Sequence, residues 1–131
     1  MSQSNLIPTV LVIDGEILIR TEIAAYLRHC GYRVIEAVSG DEALPVLLAD
    51  DTITIVLADV QLPGTIDGFA LAQWVRNHRP DVGVVLAGTV QRAAVAAGEL
   101  CEEGPTLSKP YDPQIVADRI RQLVAGRQRG E

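Results

Sequence analysis

The sequence predicts a doubly wound α/β domain, and three observations carry that expectation. Apolar runs of strand length recur at 9–13 (TVLVI), 54–58 (TIVLA) and 84–87 (VVLA), with shorter RVIEA at 33–37 and PTLS at 105–108. Runs without polar alternation suit strands covered on both faces, as in a parallel sheet. Between them, apolar residues recur every three or four positions, the period of a helix with one buried face. The alternation carries neither repeat nor linker. Five strands and five helices are therefore expected in one domain over residues 1–131, with a core from about 8 to 125.

The helices can be justified in order. From Glu16 to Cys30 the stripe is Ile19, Ile23, Tyr26, Leu27 and Cys30, and Gly31 stands where a C-terminal glycine ends a helix. The second starts at Ser39, where Ser39 and Glu42 form a capping-box pair ahead of Leu44, Leu47 and Leu48. Pro45 falls past its first turn and removes a backbone donor, which predicts an irregular or late-starting helix. Residues 66–79 place Leu71, Trp74, Val75 and His78 on one stripe, with Asp67 as cap and Pro80 as stop. Residues 90–98 are Ala-rich and bounded by Gly88 and Gly98, which predicts a short fourth helix. In the fifth, Asp112 and Pro113 supply a cap and first-turn proline before Val116, Ile120, Leu123 and Val124.

Composition removes several function classes. No apolar run approaches the roughly 18 residues of a membrane span, and the N-terminal MSQSNLIPT lacks the basic and apolar regions of a secretory signal. A soluble, cytoplasmic chain is expected. The formal charge of -6 argues against general affinity for nucleic acid, since no basic stripe is present to displace phosphate counterions. Cys30 and Cys101 sit in no short-range pattern, so they read as two buried or inert thiols rather than as a disulfide or a zinc site.

The polar residues collect where such a sheet binds ligands, beyond the carboxyl ends of its strands. Asp14 follows the first run, Asp59 the third, Gly88-Thr89 the fourth and Lys109 the fifth. Two carboxylates, a hydroxyl and an ammonium at one crevice suit phosphoryl transfer to a carboxylate. In that chemistry a hard divalent cation bridges carboxylate and phosphoryl oxygens, and a lysine pairs with the phosphoryl group. The turn IDGEILIR has neither GxxxxGK[ST] nor GxGxxG, so an NTPase or dinucleotide site fits poorly. A flavin phosphate loop, rich in hydroxyls and glycines, is absent there as well.

Taken in order and spacing, VLVIDGE, LADVQLPGTIDG and LSKPYD resemble the receiver domain of two-component response regulators, over about residues 8–125. The resemblance is greatest to short stand-alone receivers. It implies a flavodoxin-like (βα)5 sheet of strand order 2-1-3-4-5, with Asp59 as phosphoacceptor from a histidine kinase or phosphotransfer protein. It further implies a magnesium ion held by Asp14, Asp59 and the backbone carbonyl of Gln61, Lys109 on the phosphoryl oxygens, and a cis peptide at Pro110. Output would pass to a protein partner through the face of helix four, strand five and helix five, with no nucleic acid and no membrane. A homodimer is compatible with that set.

Three positions depart from the family pattern. Gly15 stands where a second acid normally ligates the metal, with Glu16 the candidate replacement. Gly88 rather than Thr89 aligns with the switch hydroxyl, and Thr106 stands where an aromatic usually relays the shift. Two functions follow. One is a non-enzymatic receiver phosphorylated on Asp59 with impaired magnesium binding. The alternative is a pseudo-receiver acting as a phosphorylation-independent interaction module. A small flavin- or nucleotide-binding enzyme ranks below both.

Overall fold

A computed structural model of the chain describes residues 8–103 together with Gln114, Ile115, Asp118 and Gln122. The described elements alternate as β1 (Thr9–Ile13), α1 (Ile17–His29), β2 (Arg33–Ala37), α2 (Gly40–Ala49), β3 (Ile53–Asp59), α3 (Gly68–His78), β4 (Gly83–Ala87) and α4 (Val90–Glu102). All three strand pairings are parallel, in the order β2-β1-β3-β4. This matches the first four positions of the expected order. The expected fifth strand, with Thr106, Lys109 and Pro110, lies outside the described residues, and so does the expected fifth helix apart from Gln114, Ile115, Asp118 and Gln122.

The sheet separates two apolar layers. Val10 and Val12 face α1 and α4, while Leu11 and Ile13 face α2 and α3, as the two-residue period of a strand requires. β1 is buried along its whole length, which is why TVLVI shows no alternation.

The helix ends follow the side chains that cap them. Gly31, with φ of 98°, closes α1 in a Schellman turn: Tyr32 N–H donates to the Leu27 carbonyl at 3.2 Å and Gly31 N–H to that of Arg28 at 3.0 Å. At α2, Ser39 Oγ accepts from Glu42 N–H at 3.1 Å and Glu42 Oε1 accepts from Val38 N–H at 2.7 Å. α2 neither starts late nor breaks at Pro45; the cap and the burial of Ala43 and Leu47 hold it through the lost hydrogen bond. α4 also runs past its expected end. Gly98 is buried in its interior, so packing outweighs the roughly 1 kcal/mol that a mid-helix glycine costs. On α3, Leu71 and Val75 are buried, but His78 is exposed, its ring stacked on Trp74 at 4.5 Å between centroids.

The cysteine expectation is overturned. Cys30 and Cys101 are both fully buried and form a disulfide across 71 residues, with Cα atoms 5.3 Å apart. Short-range spacing could not show this, because the pair meets only through the packing of α4 on α1. Among the described residues no helix is long and apolar enough to cross a membrane.

Candidate functional site

β1 and β3 deliver one carboxylate each to the same end of the sheet. Asp14 follows β1, its N–H donating to the Ala37 carbonyl at 3.1 Å, and its Oδ1 accepts from Glu16 N–H at 2.8 Å. Asp59 is the last residue of β3, paired in register with Ala87 of β4, and its Oδ1 accepts from Gln61 N–H at 3.2 Å. Gly88 and Thr89 continue from β4. Asp14, Asp59, Gly88 and Thr89 line one cavity of about 220 Å³, whose inner wall is apolar: Ile19, Ile23, Leu57 and Val90.

The sequence thus brings together four of its expected site residues. Burial pushes the Asp14 carboxyl up to about 6, and repulsion from Asp59 and Glu16 adds to it. The Glu16 N–H and the Arg20 guanidinium act in the opposite direction. Arg20 donates to the Asp14 carbonyl at 2.9 Å and pairs with Glu36 at 3.1 Å, so it braces the β1 exit through the backbone. The Asp14 carboxyl therefore stays above its usual range, chiefly through burial, even with glycine at position 15.

Glu16 occupies the cap position of α1, and it does not complete a cage: no group of three carboxylate, imidazole or thiol side chains able to hold a metal ion occurs among the described residues. The donors present are two carboxylates of hard oxygen character. That set fits magnesium, which is bound through one or two carboxylates and keeps several waters. Thr89 caps α4, its Oγ1 accepting from Arg92 N–H at 3.1 Å.

Gly15 is the best-defined departure from the expected pattern. A Cβ there would sit 3.0 Å from Pro63 Cδ and 3.3 Å from its Cγ, so the ring of Pro63 crowds the space where an acid side chain would begin. The loop carrying Pro63 is held from α2 by Asp41, which accepts from Thr65 Oγ1 at 2.7 Å and from the Thr65 and Ile66 N–H groups at 3.2 Å each. The Thr65 hydroxyl, with these N–H bonds, lowers the Asp41 carboxyl below its usual range. Gly64 turns the loop with φ of 89°. Gly68 then starts α3 against the end of β3: a Cβ there would overlap the Asp59 carbonyl oxygen and lie 2.8 Å from Val60 Cα. Sequence reasoning missed the Asp41 clasp and the Gly68 contact. Asp41 sits 24 residues from the loop that it holds, and Gly68 meets backbone nine residues before it, so neither contact shows in local spacing.

Comparison with known proteins agrees with this geometry. The response regulator receiver domain family matches residues 10–121. The transcriptional regulatory protein AruR of Pseudomonas aeruginosa is 31% identical over 124 residues, covering 91% of this chain and 50% of that protein. ResD of Bacillus subtilis, also a transcriptional regulatory protein, is 29% identical over 115 residues, covering 88% and 47%. The chain thus spans about half the length of these curated relatives. Among solved structures, the receiver domain of NtrX from Brucella abortus is 31% identical with a TM-score of 0.55, covering 90% of this chain and 95% of that one. A response regulator receiver domain protein from Clostridium thermocellum superposes with a TM-score of 0.59 at 23% identity, covering 95% and 99%, and speaks for the fold alone. The fold, the acid pair at the strand ends and the match over residues 10–121 together mean that this chain belongs to the response regulator receiver domain family.

Proposed function

We propose that this chain accepts a phosphoryl group on Asp59 from a histidine kinase or phosphotransfer protein, with magnesium binding weakened by Gly15. The observation that carries the reading is the convergence of Asp59 and Asp14 on one cavity with the Gly88-Thr89 corner. An Asp59 carboxylate oxygen attacks phosphorus, forming the O–P bond as the donor's P–N or P–O bond breaks. Bound magnesium would neutralise charge developing on the phosphoryl oxygens. Asp14, Asp59 and the Gln61 carbonyl are the residues that would hold it. Lys109 would pair with the phosphoryl oxygens, by family resemblance. The remaining chain residues position the acceptor: the Gln61 N–H fixes one Asp59 oxygen, and Gly68 seats α3 against the Asp59 backbone. A lost metal ligand costs at least the roughly 10- to 100-fold of a lost supporting contact, so the magnesium dependence should have its midpoint in a high concentration range.

The chemistry belongs to a signalling protein rather than to an enzyme with turnover on an external substrate. A partner would read the phosphorylated state through the face that includes α4, and the net charge of -6 favours a protein over nucleic acid. The second reading, a phosphorylation-independent interaction module, draws support from Pro63 crowding position 15 and from the Thr89 hydroxyl serving as a helix cap. Incubation with magnesium and acetyl phosphate decides between them. A gain of one phosphoryl mass, absent in Asp59→Ala, supports the acceptor; an unmodified but folded chain at saturating magnesium favours the module.

A further inference from the structure

We propose that the Cys30–Cys101 disulfide is a redox-controlled tether that sets how α4, and with it the Gly88-Thr89 corner of the acid cavity, seats on α1. The bond joins the C-terminal cap of α1 to the last turn of α4 across 71 residues. Its importance follows from the helix it holds. The buried residues of α4 are Ala94, Ala96, Ala97, Gly98, Leu100 and Cys101, so Leu100 is the one large aliphatic side chain among them. Small side chains let two helices approach closely but bury little apolar area, so the noncovalent seat of α4 is thin. A second tie acts on the same turn: the Tyr32 hydroxyl donates to the Leu100 carbonyl at 2.5 Å, out of solvent.

Both ties hold the far end of α4. Its near end is the cavity, where Thr89 caps the helix and Val90 and Ala93 line the wall beside Asp14 and Asp59. Thirteen residues of helix put the two ends about 20 Å apart. Freeing that turn removes a fixed point from the packing of the whole helix, so the seat of its cavity end loosens with it.

The switching step is thiol–disulfide exchange with a dithiol reductant. One reductant thiolate attacks a protein sulfur, the S–S bond breaks, and a mixed disulfide forms. The second reductant thiol then displaces the remaining protein sulfur. Two electrons and two protons pass to Cys30 and Cys101, and the reductant leaves as its own disulfide. Both sulfurs are out of solvent, so exchange requires the last turn of α4 to open first, and reduction of the folded chain should be slow.

The effect on phosphorylation rests on the function proposed above; the tether itself does not. The full chain, equilibrated with oxidised glutathione or with dithiothreitol, is alkylated with iodoacetamide in denaturant, where buried thiols are exposed, and weighed intact, and both forms are followed in native buffer by amide hydrogen exchange. The oxidised chain should take no label and the reduced chain two. Exchange in residues 90–102 should rise at least tenfold on reduction, with smaller changes in α2 and α3. Acetyl phosphate labelling of Asp59 should differ at least threefold between the forms. Cys30→Ala/Cys101→Ala should behave as the reduced chain; reduction of the wild type gives the same information if that variant does not fold. Two labels in the oxidised chain, or α4 exchange equal within twofold in both forms, overturn the tether. A responsive α4 with an unchanged Asp59 rate overturns its link to the cavity. A responsive α4 with no Asp59 labelling in either form supports the tether and sinks the phosphoryl reading instead.

Discussion

Asp14→Asn should make the metal-free protein more stable while removing the function of the site. Burial, with repulsion from Asp59 and Glu16, pushes the Asp14 carboxyl from 3.8 to about 6. Each pKa unit corresponds to about 1.4 kcal/mol, so the upper bound of the penalty is about 3 kcal/mol. Asp14 is partly exposed, and solvent screening reduces this to about 1–2 kcal/mol, or roughly 3–8 °C in Tm for a domain of this size. Asparagine retains the Oδ1 acceptor for the Glu16 N–H, so the change removes charge without removing that bond. The sign with pH is fixed. The folded chain holds the Asp14 proton more tightly than the unfolded chain, so this stability is fully present below about pH 4 and lost as pH rises through about 6. Thermal unfolding of wild type and Asp14→Asn without magnesium should therefore show a gap at pH 8 that shrinks towards pH 4. Magnesium at pH 8 should close it by stabilising the wild type alone. A gap that is absent at pH 8, or equal at pH 4.5 and pH 8, refutes the account of an Asp14 carboxylate penalised chiefly by burial.

Other outcomes follow from named contacts. Gly15→Asp alone should gain little magnesium affinity, because its Cβ meets Pro63 Cδ at 3.0 Å; with Pro63→Ala the gain should be larger than the two single changes combined, a coupling that calorimetric titration of all four proteins measures. Gly68→Ala should cost about 3 kcal/mol or more by chemical denaturation, since the new carbon meets backbone that cannot turn away, and should slow Asp59 labelling in whatever protein remains folded. Asp41→Ala removes three hydrogen bonds to the 65–66 backbone and side chain, and amide exchange at Thr65 and Ile66 should rise while that of β1 stays constant. Loss of the disulfide releases a loop of 71 residues and should lower stability by about 2–4 kcal/mol in denaturant titration.

What could be read from the chain, and what could not, divides along physical lines. Apolar runs located β1, β3 and β4, and the mixed run RVIEA located β2, because burial of a strand leaves a signal within a few neighbouring residues. Ser39, Asp67 and Gly31 marked helix ends for the same reason: a cap acts over three or four positions. Asp14 and Asp59 were legible as a pair, since parallel topology sends both strand ends to one edge. The disulfide, the Asp41 clasp and the Pro63 contact at Gly15 join segments 24 to 71 residues apart, or meet across loops, and no local pattern encodes them. Gly98 misled because glycine signals a helix stop by default, whereas here packing decides. The expectations for Thr106, Lys109 and Pro110 concern positions outside the described residues.

The side of the sheet on which α4 lies is the point where local rules and observed packing part. Right-handed crossovers place α1 on one face as the chain steps from β1 to β2, and α2 and α3 on the other as it steps back through β3 to β4. The same rule, applied to a fifth parallel strand beyond β4, would put the next helix beside α3. α4 instead packs with α1, where Ala94, Ala97 and Cys101 share one apolar cluster with Ile23, Leu27 and Cys30. The disulfide is a check on that placement independent of any signalling assay. Two helices on opposite faces are separated by a sheet with roughly 10 Å packing on each side, while a disulfide requires Cα atoms within about 7 Å. A peptide carrying residue 30 linked to one carrying residue 101, recovered from a non-reducing digest of monomeric protein, therefore places α4 on the α1 face. Recovery of the two peptides unlinked, from protein never exposed to a reductant, would refute the bond between Cys30 and Cys101.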